Sequence, residues 1–273
     1  MNDVLFAFMI SLIAGLSTGI GGLVVLLTKT TNKSFLSSCL SFSAGVMLYI
    51  SFAELFIEAQ ESLKNVFAGG VAYLILTVSF FCGIAIMALI DKLIPDDGEL
   101  DDILDPIPQQ ENIDKQEIKD LKRTGISTTI AVTIHNFPEG LITFIAALYN
   151  PALGVAVALA IIIHNIPEGI ATATPIYYAT GNKLNAFFVA IGSGLTEPLG
   201  ALIAWLFLRN IISENDALFG IIFAAIAGIM VFVAMHQLLP TAQRYGKHHL
   251  VMKWLFAGMA VMAISLVLLE FYS

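Results

Sequence analysis

Charge is what this sequence has least of. Asp, Glu, Lys and Arg make up only 12% of 273 residues, about half the usual share of soluble domains, while hydrophobic residues reach 58%. With 13 basic against 21 acidic residues and a net charge of −8, no nucleic-acid partner is expected. Cysteine is scarce as well. Cys39 and Cys82 both fall in apolar stretches, which leaves neither a disulfide framework nor a metal–cysteine site and suits both to small apolar packing. A basic leader is missing too: the chain opens MNDVLFAFMI, so its first apolar run reads as a retained span.

What is present is apolar length. The mean hydropathy is +0.85, and a hydrocarbon layer of about 30 Å needs roughly 20 helical residues to cross it. Apolar runs of that size fall near 4–27, 35–58, 67–92, 123–149, 152–178, 184–208, 216–240 and 250–271. Short connections join most of them into a single domain spanning 1–273. Residues 93–122 are different: rich in acid and proline, they read as an acidic cytoplasmic loop, either a solvated linker or a cation-attracting vestibule.

Basic residues give the orientation, because loops carrying Lys and Arg stay cytoplasmic. With the N-terminus outside, the inner side collects Lys29, Lys33, Lys92, Lys115, Lys119, Lys122, Arg123, Lys183, Arg244, Lys247 and Lys253, leaving Lys64 and Arg209 outside. Both termini are therefore expected on the outer face of a plasma (inner) membrane.

Against this background Glu54, Glu139, Glu168 and Glu197 are out of place. Each sits within an apolar run, where an acid costs on the order of 2.5–3.5 kcal/mol, and no Lys or Arg lies in a span except near its ends. Their compensation must come from bound cations or from held protons. IHNFPEG, from Ile134, reappears as IHNIPEG, from Ile163. In each copy His and Glu are four apart, so His135 with Glu139, and His164 with Glu168, share one helix face. Imidazole with carboxylate suits zinc and neighbouring first-row divalent ions.

The turn Tyr149-Asn150-Pro151 makes the two spans antiparallel neighbours, and each motif begins 12 residues into its span, roughly 18 Å deep. Both copies thus reach mid-depth, as in an inverted repeat with a central site. Pro138 and Pro167 are expected to kink their helices and free the carbonyls of Ile134 and Ile163, while Gly140 and Gly169 admit a neighbouring helix. Asn136 and Asn165 read either as neutral ligands to a second metal, closed by Glu197 of SGLTEPLG, or as helix-to-helix hydrogen bonds.

HNFPEG, HNIPEG, SGLTEPLG, the span count and the long third connection together resemble the ZIP (Zrt/Irt-like) family of divalent metal transporters, its prokaryotic branch most closely. The resemblance implies an all-α polytopic membrane bundle of eight transmembrane helices in a 3+2+3 inverted repeat. It also implies a binuclear metal site on His135, Asn136, Glu139, His164, Asn165, Glu168 and Glu197. Zinc, and also iron, manganese, cobalt or cadmium, would be carried into the cytoplasm by an elevator-like motion, with a homodimer as the assembly and no resident cofactor. Partners are the metal ion and the lipid bilayer.

Other residues follow from the same comparison. Glu54 and Met47, in GVMLYISFAEL, are expected along the pathway, Glu54 alternatively as a packed, protonated acid. Gln237 stands where many relatives carry glutamate, a change expected to alter metal preference or the outer gate. His236 reads as a transient ligand or a helix-to-helix hydrogen bond, and Asp91 as a release site or an interfacial pair with Lys92; His248 and His249 read as a solvated turn. Two rival functions fit the residues less well. An intramembrane metalloenzyme lacks HExxH and has too few histidines, and a proton-coupled carrier of another solute leaves the duplicated quartet unexplained.

Overall fold

The structure is a computed structural model that describes residues 3–27, 33–92, 115–208 and 215–271. Among these the chain is helical and has no strand. Helix α1 is Asp3–Leu27; α2 is Lys33–Val66, with a π turn over Ser51–Leu55; α3 is Gly69–Asp91; α4 is Lys115–Tyr149. Helix α5 is Pro151–Thr180. Helix α6 runs Lys183–Gly194 and resumes as Thr196–Ile203 before a π turn over Ala204–Leu208. Helix α7 is Asp216–Tyr245, with a π turn over Val233–Leu238, and α8 is His248–Glu270. Seven of these are long and apolar enough to cross a membrane; α4 contains the expected span 123–149.

Asparagine starts several of the rods. The Asn150 Oδ1 accepts from the Ala152 and Leu153 amides at 2.9 and 3.5 Å, Pro151 takes the first helical position, and Gly181 at φ 66° ends α5 in the left-handed region. Asn182 and Asn215 cap α6 and α7 in the same way.

Three details of the helices bear on the expectations. Residues 93–114 of the acidic connection lie outside the described residues, and 115–122 are already helix, because KQEIKDLK is built of helix-favouring residues. Helices α4 and α5 run unbroken through Pro138 and Pro167. An interruption falls at Leu195 in α6, three residues before Pro198, whose missing N–H cannot bond the Gly194 carbonyl.

The helices pack as two groups. Helix α1 lies against α5 as α6 lies against α4, and α2 lies against α8 as α7 lies against α3. This exchange is the pairing that a 3+2+3 inverted repeat requires, and glycines sit at its contacts. A Cβ on Gly169 would overlap the Thr18 carbonyl of α1, and one on Gly140 the Glu197 carbonyl of α6. In the second group Gly45 and Gly258 join α2 to α8 as Gly228 and Gly83 join α7 to α3. Backbones meet directly at these crossings, so the expected close approach at Gly140 and Gly169 is present. The principal seam between the groups is α2 against α5.

Candidate metal centre

The two repeats meet inside the α1, α4, α5, α6 group. His135, Asn136, Glu139, His164, Asn165, Glu168 and Glu197 are all buried, as the sequence pattern anticipated. The imidazoles reach across to the other helix: His135 Nε2 lies 3.0 Å from Glu168 Oε2, and His164 Nε2 lies 3.1 Å from Glu139 Oε1. Among the described residues no three His, Cys, Asp or Glu side chains close round a single point. The expected ligands are instead held in hydrogen-bonded cross-pairs.

The asparagines make the helix-to-helix hydrogen bonds, one of the two readings of them. Each amide nitrogen bridges helices, Asn136 Nδ2 donating to the Ser193 carbonyl and Asn165 Nδ2 to the Ala14 carbonyl, both at 3.1 Å. Asn165 Nδ2 also donates to Glu197 Oε1. The amide oxygens of both are buried and without a partner. So are His135 Nδ1, Glu139 Oε2 and Glu197 Oε2. A buried polar atom left unpaired costs about 1–3 kcal/mol, and here such atoms concentrate on one constellation.

Pseudo-symmetry extends to the supporting helices. Ala14 and Thr18 of α1 take the places that Ser193 and Glu197 of α6 take on the opposite side. Glu197 is therefore the acid that one repeat has and the other lacks, Thr18 standing in its place.

The remaining candidates divide. Glu54 is half-buried in the π turn of α2 and lines a cavity of about 640 Å³ with Tyr49, Glu58, Asn150, Leu153 and Leu266, toward the Asn150 end of the bundle. Met47 does not join it but is fully buried in the apolar core. Asp91 turns to α7, where Gln237 Nε2 donates to its Oδ1 at 2.9 Å and His236 Nε2 lies 3.1 Å from its Oδ2. The partners of Asp91 are thus on α7, where Lys92 had been expected. Helix α7 climbs roughly 30 Å from its Asn215 cap before reaching Gln237, which places it at the opposite end. His236 is exposed and His248 and His249 lie at the exposed start of α8, their rings 6.0 Å apart.

Two features went unread in the sequence. Ser43 Oγ, on α2, donates to Glu168 Oε1 at 2.9 Å and lies 3.4 Å from the His164 carbonyl. A second repeat, AGVMLYISFAEL at 44–55 and AGIMVFVAMHQL at 227–238, relates α2 to α7 and sets Glu54 opposite Gln237.

The description ZIP Zinc transporter is matched by residues 104–266, more than half of the chain. The chain belongs to the ZIP family. Its ZIP relatives include the zinc transporter ZupT of Clostridium perfringens, 50% identical over 98% of this chain and 97% of that one. The ZupT proteins of Chlorobium chlorochromatii and Lysinibacillus sphaericus are 48% and 49% identical, covering 98% of this chain and 98% and 99% of their own. ZIP proteins are named as transporters, so the metalloenzyme reading is set aside.

Proposed function

We propose that this ZIP protein carries zinc across the bilayer and into the cytoplasm through the cross-paired centre of α4 and α5. The observation that carries the reading is the set of buried, unpartnered atoms on five of the seven expected ligands: His135 Nδ1, Asn136 Oδ1, Glu139 Oε2, Asn165 Oδ1 and Glu197 Oε2. Nitrogen and carboxylate oxygen donors suit Zn²⁺, and also Fe²⁺, Mn²⁺, Co²⁺ and Cd²⁺. The names of the relatives favour zinc among these.

An arriving ion would exchange the His–Glu hydrogen bonds for coordinate bonds, drawing Glu139 and Glu168 toward a shared centre. Glu197 with Asn136 and Asn165 would hold a second ion beside it, giving a binuclear site. With both termini outside a plasma membrane, an interior-negative potential favours entry by about 2.3 kcal/mol per charge per 100 mV, doubled for a divalent ion. The division into two groups, with the whole centre in one, supports an elevator-like movement of that group against the other.

Zinc uptake into proteoliposomes tests the reading. Glu139→Ala and Glu168→Ala are expected to lower initial rates more than tenfold while the variants keep a monodisperse elution profile. Uptake at the original rate by either variant refutes the site.

A further inference from the structure

Ser43 belongs to one helix group and touches the other. Several serines of α2 bond their own helix: Ser38 to the Ser34 carbonyl, Ser41 to Ser37 and Ser51 to Met47, at 2.6–2.8 Å. Ser43 instead crosses the seam to α5 and donates to Glu168 Oε1 at 2.9 Å, fully buried. Because His135 holds the other oxygen, both oxygens of Glu168 are engaged. Its twin Glu139 is engaged at Oε1 alone, and its Oε2 has no partner. The second repeat explains the difference, since the residue preceding AGVM is Ser43 and the residue preceding AGIM is Ile226, which has no hydroxyl to give.

Position adds to chemistry. Toward the Lys183 end from Ser43, the seam is shut, with Cys39 in an apolar cluster that includes Ile170, Ala173 and Ile176 of α5. Toward the Asn150 end it opens into the cavity between Tyr49 and Glu54 of α2 and Leu153 and Ala156 of α5. The Ser43 to Glu168 bond stands between the closed and open stretches.

We propose that Ser43 is a positioning residue that latches the centre to α2: its hydroxyl competes with the metal for Glu168, and loading breaks its 2.9 Å bond to that carboxylate. The proposal rests on the site reading given above. A hydrogen bond to a carboxylate that an arriving ion must displace weakens affinity while tying occupancy to the seam.

Zinc titration of the purified full-length protein by calorimetry tests it. Ser43→Ala is expected to bind zinc about three- to tenfold more tightly, and Ser43→Thr to bind as the original. Ser43→Val against Ser43→Thr compares side chains of one shape that differ in the hydroxyl, and decides the matter if the alanine variant does not fold. A valine variant with unchanged or weaker affinity, and an unaltered melting curve, overturns the latch. Glu168→Ala is titrated alongside: if it loses zinc while Ser43→Val is unchanged, the latch alone fails, and if it binds zinc normally the site reading fails.

Discussion

Glu139 of α4 and His164 of α5 share a hydrogen bond of 3.1 Å, so the carboxylate is engaged by the imidazole of the opposite helix and not by His135, four residues back on its own. The mirror pair, Glu168 with His135, repeats this at 3.0 Å. Each pair is thus a bolt between the two repeats as well as a pair of expected ligands. Removing His164 leaves Glu139 buried with neither oxygen bonded. His164→Ala is expected to lose about 3 kcal/mol in chelator-treated protein, and the double variant His164→Ala, Glu139→Ala to lose less than the sum of the singles. Thermal unfolding in detergent with a chelator measures both.

Glu197 breaks the pseudo-symmetry and so serves to separate two ions from one. Glu197→Ala is expected to halve bound zinc, from two equivalents to one, while the tighter ion remains. Elemental analysis after gel filtration gives the ratio, and two retained equivalents would place Glu197 outside the second position.

The glycine crossings predict a sharp positional contrast. A methyl at Gly169 or Gly140 would run into the backbone of α1 or α6, whereas one at Gly192, also in a helix, meets open space. Gly169→Ala is expected to cost about 1–3 kcal/mol and most of the folded yield; Gly192→Ala should be neutral or slightly stabilising. Fluorescence size-exclusion profiles across a temperature series compare the two.

At the far end of α7, Gln237 donates to Asp91 at 2.9 Å. Gln237→Glu replaces that donor with a second carboxylate at hydrogen-bond distance from the first. The metal-free variant should melt several degrees lower than the original, and millimolar zinc should recover the difference. A variant that melts as the original would show that the contact contributes nothing measurable.

Much of this was written in the sequence. The duplicated His-Asn-x-Pro-Glu-Gly motif pointed to residues that the fold does bring together, buried between α4 and α5, because acids without basic neighbours in apolar helices have few explanations. Periodicity could not reveal that His135 would turn to Glu168 and not to Glu139, since shared faces on one helix say nothing of reach to the next. Ser43 was invisible for a similar reason: a serine in an apolar run normally bonds its own helix, as Ser41 does. The second repeat was legible at Ala44 and Ala227 but is degenerate in its polar positions, Glu54 against Gln237, where the first repeat keeps them. The break at Leu195 was announced by Pro198, a proline no weaker in signal than Pro138 or Pro167, and what differs is only that α6 yields to it.

The glycine contacts of α1 with α5 and of α4 with α6 fasten every one of the seven polar residues into a single tight block. In the elevator-like movement proposed above, an ion seated there would travel as freight bolted to its wagon, with throughput tied to how often the whole wagon shifts, on microseconds or slower, and not to free diffusion along a pore. Steady traffic without single-channel current steps is the electrical signature of such a machine.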